Sequence, residues 1–93
     1  MTGSPQRPGD AEYIPLLEHA LPLVARAEEY ALVDARRLYS AVNDRLRADG
    51  YSTLPYGAFT RLVRATGFPR RQVPNAEGFR LWRAFEHLAL IET

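Results

Sequence analysis

Every basic residue in this chain is arginine: there are twelve, against eleven acids and no lysine. Arginine carries a planar fork of donors that meets a phosphate or a guanine edge in two parallel hydrogen bonds, which an ammonium cannot do. A GC-rich coding bias also favours arginine over lysine, so position must decide between the two readings. Four arginines, Arg61, Arg64, Arg70 and Arg71, lie between Gly50 and Ala76, where no acid occurs at all. Asp10 to Glu29 holds five acids and only Arg26. Residues 1–50 balance to −2 and residues 51–93 to +3, with six arginines against eight acids and six against three. A merely soluble surface mixes its signs, so this polarity points to a face for a polyanion.

Other chemistry is thinly represented. The 93 residues contain no cysteine, which removes disulfides and thiolate metal sites. His19 and His87 stand far apart, and neither has a neighbouring Ser or paired carboxylate that would make a catalytic set. No glycine-rich phosphate loop is present. The chain is 46% hydrophobic and 25% charged, and its length suits one small core. It lacks an apolar run of the roughly twenty residues that a membrane span needs and the layout of a signal peptide, so a cytoplasmic, non-enzymatic protein without cofactors is expected.

The arginines need elements to position them. Met1 to Asp10, with Gly3, Pro5, Pro8 and Gly9, reads as a disordered tail, leaving residues 11–93 as the domain. From Glu12, the residues Tyr13, Leu16, Leu17, Ala20, Leu21, Val24 and Ala27 recur at helical spacing, with Asp10 a candidate cap. Pro15 suits the first turn, whereas Pro22 should kink or split this helix. Asp34 caps a second helix through Leu38, Tyr39, Val42 and Leu46 to Gly50, with Arg36, Arg37, Asn43, Asp44, Arg45 and Arg47 on its exposed face. Ser52 and Thr53 offer capping hydroxyls to a third helix over about 54–66, which buries Phe59, Leu62 and Val63 and stops at Gly67.

The last quarter changes character. An arginine-rich stretch at 68–73, a dense turn signal at Pro74-Asn75-Ala76-Glu77-Gly78 and an alternating run from Phe79 to Phe85 predict a β-hairpin. Phe79, Trp82, Phe85, Leu88 and Ala89 also fit a helical stripe, and residues 86–91 could add a helix. The hairpin reading yields a mainly α domain with a small β-hairpin, a winged helix-turn-helix: helices two and three form the pair, and residues 68–85 form a basic wing.

Particular residues then resemble a known family. Leu38-Tyr39-Ser40-Ala41, Phe59-Thr60-Arg61-Leu62, Gly67-Phe68-Pro69-Arg70-Arg71 and Arg80-Leu81-Trp82-Arg83 resemble the C-terminal winged-helix domain of phage and poxvirus-type primase-helicases. Leu16-Leu17-Glu18 fits that family's first helix. The likeness covers most of residues 12–86, mainly at core positions, and no primase or helicase module accompanies it. It implies DNA binding in replication or transcription of a mobile element or its host. A second resemblance is to the LOTUS (OST-HTH) fold, whose third helix opens on Tyr-Gly-Phe. Tyr56-Gly57-Ala58-Phe59 carries one residue more. That likeness implies RNA or protein partners.

The expected contacts to nucleic acid are therefore Ser52, Thr53, Tyr56, Thr60, Arg61 and Arg64 on the third helix and before it, and Arg70, Arg71, Gln72 and Arg80 on the wing. Double-stranded DNA is the leading partner; single-stranded DNA and RNA are alternatives. Tyr39, Phe68, Phe79, Trp82 and Phe85 could stack on bases, although a small domain needs such side chains for its core. A protein partner or second copy could instead pack on residues 12–29 or 85–91.

Overall fold

A computed structural model describes residues 8–74 and 81–91. Pro8–Tyr13 form a short 3-10 helix, followed by α1 (Ile14–Val24), β1 (Ala25–Asp34), α2 (Ala35–Ala48), α3 (Tyr56–Ala65), β2 (Arg70–Pro74) and β3 (Leu81–Leu90). The strands make one antiparallel sheet in the order β1-β3-β2. The described residues thus form three α-helices, a short 3-10 helix and a three-stranded sheet, more β structure than a lone hairpin. The expected turn at 75–78, Phe79 and Arg80 lie outside the described residues.

Local signals account for most boundaries. Asp34 caps α2, its side chain accepting from the backbone N–H of Arg36 and Arg37. Gly50, at φ +82°, takes the left-handed turn after α2, and Gly67, at φ +103°, does so after α3. Other boundaries differ from expectation. Asp10 does not cap α1; it lies in the 3-10 helix, and Tyr13 precedes α1 without a side-chain cap. No side chain caps α3 either, so Ser52 and Thr53 do not serve there. Pro22 leaves α1 unsplit but removes a donor from its last turn, and the helix ends two residues later.

β1 is the element that the apolar spacing concealed. Ala27 extends the helical pattern of α1, yet the backbone is already extended at Ala25, at φ −143°, ψ 158°. Its partner is β3, with Ala25 opposite Leu90 and Asp34 opposite Ala84. Residues 86–91 accordingly continue a strand rather than start a helix. The register slips between Ala27 and Leu32, where the segment 28–31 bulges opposite His87 alone. Tyr30 (φ +67°) and His87 (φ +65°) both hold left-handed backbone, costing about 1–3 kcal/mol each. The Tyr30 N–H donates to His87 Nδ1 at 3.3 Å and joins the two. The slip lets Phe85 and Leu88, three apart, both face the core.

That core gathers Leu17 and Ala20 from α1, Leu38, Val42 and Leu46 from α2, Phe59, Leu62 and Val63 from α3, and Val33, Phe85 and Leu88 from the sheet. Phe59 meets Phe85 edge to face at 6.0 Å between centroids, which fastens α3 to the central strand. Leu54 is buried ahead of α3, and its backbone is gripped from α2. Asn43 Nδ2 donates to the Leu54 carbonyl at 3.2 Å, the Leu54 N–H donates to Asn43 Oδ1 at 2.9 Å, and the Tyr39 hydroxyl donates to the same carbonyl at 2.8 Å. Asn43 is 4% exposed, so its expected place on the solvent face is corrected.

Candidate nucleic-acid interface

β2 and β3 carry their side chains alternately to the two faces of the sheet. Arg70 stands opposite Phe85 and Gln72 opposite Arg83, so all four share one face. Phe85 fills the core from that face. Two residues further along the hairpin, the same face carries Gln72 and Arg83. Arg64 reaches them from the last turn of α3. Arg64, Arg70, Arg71, Gln72 and Arg83 line a cavity of about 210 Å³, and a second, of about 450 Å³, lies between Arg64, Gly67, Pro69 and Arg70.

The electrostatics of this corner are one-sided. Arg71 alternates to the opposite face, where Glu86 takes its guanidinium at 3.3 Å. Among the described residues none of Arg64, Arg70 and Arg83 forms an ion pair. Arg64 and Arg83 are exposed and Arg70 is half-buried, so three guanidinium groups meet solvent together. Such a cluster repels itself, and a phosphate between its members removes that repulsion while accepting several charge-assisted hydrogen bonds.

Arg61 is placed differently from Arg64. Its Nε and Nη2 donate to the two carboxylate oxygens of Asp10 at 2.8 and 3.1 Å, a bidentate pair. Asp10 is 3% exposed, and its hydrogen bond raises the Arg61 pKa further above the usual arginine range. Gly57 gives the guanidinium room, since a Cβ there would stand 3.2 Å from Arg61 Nη1. The pair clasps the 3-10 helix to α3.

Thr60 is buried and donates to the Gly57 carbonyl at 3.0 Å. Tyr56 is half-buried between Tyr39, at 5.1 Å, and the Arg36 guanidinium, 4.5 Å above its ring. Ser52 and Thr53 are exposed in the connection before α3. Arg80 lies outside the described residues. Of the residues expected at a site, the structure therefore brings together Arg64, Arg70 and Gln72, with Arg71 lining the same cavity while its guanidinium turns to Glu86, and turns Thr60, Arg61 and Tyr56 to tasks within the fold. Arg83 joins them unforeseen; its alternation with Phe85 was the available signal, whereas its register opposite Gln72 differs from the one an expected turn at 74–78 would set.

Among the described residues no group of three His, Asp or Glu side chains gathers as a metal site, and no helix is long and apolar enough to cross a membrane. No family model, curated protein or solved structure matches this chain.

Proposed function

We propose that this chain is a non-enzymatic, double-stranded DNA-binding module of the winged helix-turn-helix kind. The order helix, strand, helix, helix, strand, strand is that of a winged helix, with α2 and α3 as the pair and β2–β3 as the wing. The observation that carries the reading is the convergence of Arg64, Arg70 and Arg83, free of ion pairs among the described residues, where α3 meets the hairpin. In this reading the C-terminal half of α3 faces the major groove, and the arginine corner takes the backbone beside it.

Base stacking on a single strand is less well supported. Phe85 is buried, and Tyr39 spends its hydroxyl on Leu54. Both are committed to the fold rather than offered to bases.

Fluorescence anisotropy on duplex DNA, single-stranded DNA and RNA at two salt concentrations tests the proposal. Contact with about four to six phosphates gives a log–log salt slope of about −4 to −5 on duplex. Replacing Arg64, Arg70 and Arg83 together by Ala is expected to make that slope shallower by about 3 units. Duplex affinity that ignores salt, or a triple variant that binds like the intact chain, would overturn the assignment.

A further inference from the structure

Among the described residues, five large apolar side chains remain exposed, and four of them, Leu23, Tyr30, Leu32 and Ile91, lie on β1, at the end of α1 or just past the end of β3. Tyr30 is the barest, at 85%. Its position is built rather than frayed: the bulge is anchored by the Tyr30 N–H on His87 Nδ1, and both residues keep a backbone that bulky side chains avoid. Glu28 and Glu29 precede it, Glu28 being held by Arg26 at 2.9 Å. The result is an aromatic knob whose collar of Arg26, Glu28 and Glu29 carries one net negative charge.

The opposite edge of the sheet carries its complement. The cavity of about 450 Å³ there is lined by Pro69 and Gly67 together with Arg64 and Arg70, so apolar surface and positive charge share its lining. A phenol ring entering it gains apolar contact and cation–π attraction, and carboxylates beside that ring meet the arginines. We propose that the partner is a second copy of this chain: Tyr30 of one copy seats in the Arg64–Pro69–Arg70 slot of the next, with Glu28 and Glu29 against its arginines. β1 and β2 are the two outer strands, so knob and slot occupy opposite edges of one molecule. The contact is therefore head-to-tail, and it either closes into a ring or extends as a row.

The inference shares a slot with the DNA-binding reading but does not rest on it. Sedimentation of the intact chain from about 10 μM to about 1 mM is the first measurement. It should show concentration-dependent association at about 0.05 M salt that weakens at about 0.5 M; a monomer throughout overturns the proposal. Tyr30→Asn removes the ring while keeping a residue that tolerates left-handed backbone, and Arg64→Ala with Arg70→Ala removes the slot. Each variant, its fold confirmed by circular dichroism, should associate at least about tenfold more weakly than the intact chain.

Mixed, the two variants should form a one-to-one dimer and nothing larger, because only one knob and one slot remain. Variants that associate like the intact chain, or that stay apart when mixed, overturn the inference. Association through Tyr30 in a chain that does not bind duplex supports this inference and removes the DNA-binding one.

Discussion

Asn43 offers its amide oxygen and nitrogen to the backbone of a single residue, Leu54, just ahead of α3. Truncation to Ala leaves a buried N–H without its acceptor, while the carbonyl keeps only Tyr39. Asn43→Ala is expected to cost about 1–3 kcal/mol in urea unfolding, with an unchanged m-value. A loss much below that range would show that water replaces the amide. A polar residue with charged neighbours reads as exposed, because a partner made of backbone leaves no trace in side-chain spacing. Arg61 was opaque for a related reason. Its distance of three from Arg64 says that the two are neighbours on α3, but not that a carboxylate fifty-one positions earlier captures one of them.

At the scale of elements, a polar cluster joins the middle of α1 to the end of α2. Asp49 Oδ2 accepts from His19 Nε2 at 2.7 Å and from Arg45 Nε at 2.9 Å, and the His19 ring leans on Tyr51 at 4.8 Å. The hydrogen bond from His19, then that from Arg45, holds the Asp49 carboxyl below the usual carboxylate range. A lowered folded-state pKa gives stability that is complete above the unfolded value, near pH 4, and is lost as pH falls through the folded value. Asp49→Asn should therefore lower the melting temperature at pH 7 and flatten its decline below about pH 4, modestly, since the cluster is partly solvated and screened by salt. An acid limb identical to that of the intact chain would discount the cluster.

The helices were legible because caps and glycine stops are local: Asp34, Gly50 and Gly67 act within a few residues of themselves. β1 was not, since its extended form depends on β3 far along the chain, and a bulge interrupts its alternation. The hairpin was legible from its turn residues and alternation, but its length was not. β3 outruns β2 because β1 supplies a second partner for its last residues.

For the whole molecule, the split in charge along the chain does not become two simple faces. Asp10 from the acidic half neutralises Arg61 in the basic half, so the positive field gathers around the hairpin corner instead of covering α3 evenly. The same clasp makes the 3-10 helix part of the domain. Asp10→Asn and Arg61→Ala should each lower the melting temperature, and the double variant should lose clearly less than the two losses added together. Full additivity would mean that the pair contributes nothing jointly.

The pairing of β1 with β3 bears on how the molecule comes together in time. Between those two strands the chain passes through α2, α3 and β2, so the first strand waits for the last. The helices can form from neighbouring residues on a fast timescale, whereas the sheet closes a long loop that repays its entropy only once Val33 and Phe85 meet. Until then β3 can pair with β2 alone, leaving one side of the central strand open to any extended chain nearby. Folding order thus makes β1 the piece that both completes the core and shields its most adhesive strand.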